Sequence, residues 1–250
     1  MRGQIYVYAT DSHTETAIKD FLKKINPNVH WVIRSPLQRK MPKKDYANKD
    51  NLPRLTGRTG LELENFMIEE IKDRPSILTK CVAIVLEDDL DFRDSKESQD
   101  EYLSKQQKKL DADLSAISAE RTAKLICLYA APEIETWLIE DWKNSFGNKN
   151  NLDQRISTEL RKFLNSIKDK CDGNYERYSH YFEEKFSDSI IKNIRDLACK
   201  FYATDIDTAS YNKAIDGAKF LRAIDPHVIE PKCRLYFAKA YHAIKDIQCQ

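Results

Sequence analysis

Apolar positions along this chain follow two rhythms. Up to about residue 145, short β-branched and aromatic runs alternate with stretches of helical spacing. Ile5 to Ala9 (IYVYA) reads as a strand that runs into the polar turn Thr10-Asp11-Ser12-His13. From Thr14 to Ile25, the residues Ala17, Ile18, Phe21, Leu22 and Ile25 recur at the spacing of one helix face. Asn26-Pro27-Asn28 ends that helix, and Val29 to Ile33 (VHWVI) reads as a second strand. Helical spacing returns from Leu61 to Ile71 and stops at Asp73-Arg74-Pro75. Cys81 to Leu86 (CVAIVL) and Leu125 to Ala130 (LICLYA) are continuous apolar runs, the pattern of strands covered on both faces. A polar helix from about Glu97 to Glu120 is expected between them. The first run ends abruptly in Glu87-Asp88-Asp89-Leu90-Asp91. The second passes into Pro132-Glu133-Ile134-Glu135 and an aromatic helix containing Trp137, Leu138 and Trp142.

Beyond Gly147 only helical patterns remain, near 152–170, 176–201, 210–223 and 231–247. Strands alternating with helices predict an α/β fold with a mainly parallel, Rossmann-like sheet flanked by helices. The expected organisation is an α/β domain over 1–147 and a helical C-terminal extension over 148–250, packed on it.

Composition narrows the class. Of the 250 residues, 41% are hydrophobic and 32% charged, which suits a globular chain with a wet surface. No apolar run approaches the roughly 20 residues that a membrane-crossing helix needs. MRGQIYVYA does not resemble a secretory signal, so a cytoplasmic location is expected. The six cysteines form no CxxC pair and have no histidine at zinc-ligand spacing, so free thiols are expected rather than a disulfide framework.

The net charge of +1 excludes an all-over polyanion-binding surface but conceals a local excess. Between Arg34 and Arg58 the chain carries eight basic residues against Asp45 and Asp50, and Pro36, Pro42 and Pro53 break any helix there. A charge run of this kind is usually a solvated loop. Its sharper reading is a grip on a phosphate backbone through Arg39, Lys40, Lys43, Lys44 and Arg58.

Acids stand at three strand exits: Asp11 and Glu15 after the first strand, Asp89 and Asp91 after the third, Glu133 and Glu135 after the fourth. Parallel strands present their carboxyl ends on one sheet edge, so these acids can converge although far apart in sequence. Taken singly, each is as readily an N-cap or a solvated loop residue. Together they call for a cation, because clustered carboxylates otherwise take up protons. An all-oxygen set favours Mg²⁺ or Mn²⁺. Alternation puts Asp89 and Asp91 on one side of the chain and Asp88 on the other.

DSHTE (Asp11 to Glu15), VLEDDLD (Val85 to Asp91) and PEIETWLIED (Pro132 to Asp141) resemble the TOPRIM fold. More narrowly, they resemble bacterial TOPRIM-like proteins of unknown function whose third motif reads acid-x-acid-x-Trp. Tyr211, Lys213, Gly217, Cys233-Arg234 and Phe237 look like that group's closing helical motif. The resemblance implies a glutamate after the first strand as general acid/base and a DxD pair as Mg²⁺ ligands. It extends to topoisomerases, primases and overcoming-lysogenisation-defect nucleases. Asp89 and Asp91 thereby become metal ligands, with Glu133 or Glu135 as a further ligand or as the residue orienting water. The group's Glu-Gly is Asp11-Ser12 here. Either Asp11 reaches the metal through a shifted backbone, or Glu15 takes the role, or the site is weakened; Asp11 is preferred.

The leading expectation is a metal-dependent nuclease acting on DNA or RNA, by resemblance an anti-phage defence effector. Lys213 and Arg234 are further candidates for phosphate contact, although such residues on amphipathic helices more often face solvent. The alternative is a non-catalytic module of the same fold that binds nucleic acid or a partner protein. With no GxxxxGK[ST] loop, any ATP-driven step would need a partner ATPase. Phosphoryl transfer to a small nucleotide is a lesser alternative. No GxSxG elbow is present, and the five histidines show no motif spacing; only His13 falls inside a candidate site.

Overall fold

Runs rich in Val, Ile, Leu and aromatic residues supply the sheet, because branched and flat side chains pack well on a pleated surface. A computed structural model describes residues 3–10, 15–36, 58–202 and 211–248. Its strands are β1 (Gln4–Ala9), β2 (His30–Arg34), β3 (Ala83–Asp89) and β4 (Lys124–Ala130). They form one four-stranded sheet in the order β2-β1-β3-β4, with every neighbouring pair parallel. Parallel pairing requires crossovers. Helix α1 (Glu15–Ile25) joins β1 to β2, α2 (Leu61–Asp73) and α3 (Ile77–Lys80) lie between β2 and β3, and α4 (Gln99–Ile117) joins β3 to β4. There follow α5 (Glu135–Glu140), α6 (Gln154–Lys170), α7 (Phe186–Tyr202), α8 (Lys213–Ala223), α9 (Pro226–Ile229) and α10 (Phe237–Lys245).

The sheet is covered on both faces. Ile5, Val7, Ala83, Val85, Ile126 and Leu128 project to one face and share a core with α1 and the helices from α5 onward. Tyr8, Ile84, Leu86, Cys127 and Tyr129 project to the other, under α2, α3 and α4. Phe21 of α1 stacks on Trp137 of α5 with ring centroids 5.5 Å apart, and Phe237 of α10 packs against Trp137 at 5.0 Å. Residues on either side of Gly147 therefore belong to one apolar core. Cys81, Cys127, Cys171 and Cys233 are buried free thiols, and Cys199 is exposed. Among the described residues no helix is long and apolar enough to cross a membrane.

Three details depart from the periodicity. β3 runs through Asp89, so Glu87, Asp88 and Asp89 lie within the strand rather than beyond it; β4 pairs with it through Asp89, whereas pairing with β1 ends at Glu87. The aromatic helix stops at Glu140, and Trp142 lies in a separate 3-10 turn over Trp142–Asn144. Gly147 packs against that turn; a Cβ there would stand 2.3 Å from the Trp142 ring. The helix expected over 176–201 begins only at Phe186. Tyr175–His180 forms a 3-10 turn instead, because the buried Glu176 carboxylate accepts the N–H groups of Leu235, Tyr236 and Phe237 at 2.6, 3.0 and 3.1 Å.

Candidate active site

The chain leaves β1 for β2 on one side and returns to place β3 on the other, so the switch point of the sheet lies between β1 and β3. Ligand crevices in open parallel sheets form outside the carboxyl ends of the strands at such a point. Here the β3 and β4 exits are fastened together. The Leu90 N–H donates to Ala130 O at 2.8 Å, and the Asp91 N–H to Pro132 O at 2.7 Å. This brings the Asp89 side chain beside the Glu133–Glu135 segment.

Strand alternation then sorts the neighbouring acids. Asp89 is in register with Ala130 and lies on the face covered by α5 and the later helices. Its Oδ1 accepts the Ile134 N–H at 2.9 Å. Asp88 points to the opposite face, fully buried, where Arg93 and the Gly60 N–H (2.9 Å) hold its carboxylate. Gly60 has φ of +58°, a left-handed conformation that glycine takes without strain. Arg93 also donates to the carbonyls of Asp89 and Leu90, which braces the strand exit.

Three carboxylates surround one ammonium. Lys213 Nζ, at the start of α8, lies 2.8 Å from Glu133 Oε1, 3.3 Å from Glu135 Oε2 and 3.7 Å from Asp89 Oδ2. Glu133 is 2% exposed and also accepts the Ser187 N–H (2.7 Å) and hydroxyl (2.9 Å) from the start of α7. Glu135 is 0% exposed and accepts the Tyr211 hydroxyl on Oε1 at 3.0 Å. Its Oε2 makes no hydrogen bond.

One ammonium does not balance three carboxylates, two of them buried and Asp89 partly buried. Burial pushes Asp89 up to about 8, with Lys213 opposing and the charges of Glu135 and Glu133 adding to the rise. Burial likewise raises Glu135. Burial disfavours the charge on Glu133 too, but Lys213 and the Ser187 donors together hold it below the usual carboxylate range. Burial works against the Lys213 charge, and the surrounding carboxylates more than offset it, so the ammonium persists.

No protein-family model, curated protein or solved structure matches the chain. The TOPRIM resemblance therefore rests on its motifs.

Of the residues singled out by sequence, the structure joins Asp89, Glu133 and Glu135. Asp91 has φ of +50° and pairs with Lys185 at 3.0 Å, apart from the Lys213 contacts. Glu15 opens α1 and takes no part in those contacts. Asp11, His13, Arg39, Lys40, Lys43 and Lys44 lie outside the described residues. Arg58 is anchored at the end of β1, its N–H donating to Thr10 O at 3.0 Å. Arg234 is exposed and donates to Pro231 O at 2.8 Å. For Lys213 the phosphate role needs correction: its ammonium is taken up by the acid cluster, drawn there by uncompensated negative charge. Ser187 and Lys185 had no signal in sequence, since one lies in the first turn of α7 and the other just before it, and the docking of that helix depends on the tertiary fold.

Among the described residues no group of three His, Cys, Asp or Glu side chains is arranged to hold a metal ion. The donor chemistry nonetheless fits a hard divalent cation. All the donors are oxygens, negative charge exceeds positive, and Glu135 Oε2 is buried and makes no hydrogen bond, being met only by the Lys213 ammonium at 3.3 Å. What differs is the spacing, which suits an ammonium at 2.8–3.7 Å rather than Mg²⁺ at about 2.0–2.1 Å.

Proposed function

We propose that this chain is a divalent-metal-dependent phosphodiesterase acting on nucleic acid, with a TOPRIM-like sheet and an acid centre of Asp89, Glu133 and Glu135. The observation that carries the reading is the gathering of these carboxylates, from the ends of two parallel strands, around a single cationic point beside the switch point. Asp89, Glu133 and Glu135 would hold Mg²⁺ or Mn²⁺, with Asp11 and Asp91 as further ligands. A bound ion would supply Lewis acidity toward the phosphate and a water of lowered pKa. The chain's own part is to fix the acids: Ile134 N–H orients Asp89, Ser187 orients Glu133, and Tyr211 orients Glu135.

Nucleic acid is the favoured substrate class because both ends of the basic run sit at the acidic edge. Arg34 ends β2, and Arg58 is tied to Thr10 just past β1. By resemblance, the biological setting would be anti-phage defence, with any ATP-driven step left to a partner ATPase.

The test is a panel of single- and double-stranded DNA and RNA incubated with purified protein in Mg²⁺ or Mn²⁺. Cleavage should disappear with EDTA and fall by about 100-fold or more in Asp89→Asn. Cleavage that Asp89→Asn leaves unchanged would remove the acid centre from the reaction.

A second reading has its own support. Lys213 already occupies the middle of the cluster, as it would in a non-catalytic module whose acids are permanently neutralised. Nucleic-acid binding that survives chelation, with no turnover in either metal, would favour it.

A further inference from the structure

We infer that Lys213 is a displaceable internal counter-ion: its ammonium holds the acid cluster open at its own spacing and withdraws when a divalent cation enters. The inference rests on the metal-dependent reading above and concerns what regulates access to that site.

Two features point to displacement rather than a fixed ion pair. The first is that each acid has a hydrogen-bond donor other than Lys213. Asp89 is held by the Ile134 N–H, Glu133 by the Ser187 N–H and hydroxyl, and Glu135 by the Tyr211 hydroxyl. Removing the ammonium would leave three oriented carboxylates rather than a collapsed pocket. The second is that Lys213 has a way out. Glu133 and Glu135 are buried, whereas the Lys213 side chain is 40% exposed and belongs to the first residue of α8. Rotation about its four-carbon stem can carry Nζ to water without unwinding a helix.

The charge count supplies the driving force. A divalent ion brings two positive charges where the lysine brings one, and buried Glu135 Oε2 has the Lys213 ammonium at 3.3 Å but makes no hydrogen bond with it. Lysine and metal therefore compete, and metal affinity is reduced by whatever stabilises the lysine-bound state. Tyr211 and Lys213 flank Asn212 at the head of α8, so one short segment both orients Glu135 and supplies the competing cation.

The sign of one substitution separates this from a fixed structural lysine. Lys213→Met keeps most of the stem and removes the charge. Mn²⁺ binding, measured by calorimetry and by the loss of the free-ion electron paramagnetic resonance signal, should tighten about tenfold or more in Lys213→Met. The rise in thermal midpoint on adding Mn²⁺ should also be larger in the variant than in wild type. If the variant does not fold, wild-type protein still decides the matter. Acetylation of Lys213 by acetic anhydride, followed by peptide mass spectrometry against exposed lysines, should be slow in EDTA and accelerate when Mn²⁺ is added. Mn²⁺ binding that is equal or weaker in Lys213→Met, or Lys213 acetylation unmoved by bound Mn²⁺, overturns the counter-ion role and leaves the metal site standing. No Mn²⁺ uptake by either protein at millimolar concentration removes the metal-dependent reading itself, and the inference with it.

Discussion

Neighbouring carboxylates at the β3 exit meet different partners, decided by the face they project from. Burial raises Asp88 to about 6, and the Arg93 guanidinium of its own turn opposes the rise. Asp89, one residue on, enters a cluster short of positive charge and is pushed to about 8. In the unfolded chain an aspartate titrates near about 4. Folded protein therefore retains a proton on Asp89 that the unfolded chain has released. Its contribution to stability is complete below about pH 4 and is lost as pH rises through about 8. Asp88 and Glu135, also raised by burial, act in the same direction. Glu133, held below its usual range, acts in the other and loses its contribution on acidification. In EDTA the thermal midpoint should consequently fall between about pH 5 and about pH 8, and Asp89→Asn should flatten that slope. Equal slopes in the two proteins would show that Asp89 does not carry the titration.

At the scale of elements, the site depends on a face of the sheet closed by aromatic packing. Trp137 of α5 packs against both Phe21 of α1 and Phe237 of α10, which also touch each other, and the same short helix begins with Glu135. The rings hold α5 against the sheet, and α5 presents its first residue to Lys213. Phe237→Ala removes a fully buried ring from this contact and should cost about 3–5 kcal/mol in urea denaturation. A loss below about 1 kcal/mol would mean that the rings do not carry the docking. The helices containing Trp137 and Phe237 were evident from spacing. Their mutual contact was not, since 100 residues separate them in sequence and periodicity reports only which face a helix buries.

For the whole molecule, the division at Gly147 is one of pattern rather than of cores. Leu160, Ile194, Leu221 and Phe237 share an apolar cluster with Val7, Val85 and Ile126 of the sheet. Glu133 and Glu135 precede the division, while Ser187, Tyr211 and Lys213 follow it. A fragment of residues 1–147 should therefore lack a cooperative thermal transition and bind a hydrophobic dye, because one sheet face keeps α1 and α5 but loses the cover of the later helices. A sharp, two-state transition in that fragment would establish an independent α/β domain.

The chain's own pattern determined the strand runs, the parallel α/β architecture and the presence of acids near the carboxyl ends of β3 and β4. All of these follow from alternation, apolar run length and crossovers that span one or two helices. Only tertiary packing decided which acids meet, that Asp91 turns toward Lys185, and that Lys213 sits among carboxylates instead of facing solvent. The physical reason is range. Hydrophobic periodicity acts over neighbouring turns, whereas a buried charge takes its partner from whatever element the fold brings within a few ångströms, and here that element begins 80 residues after Glu133.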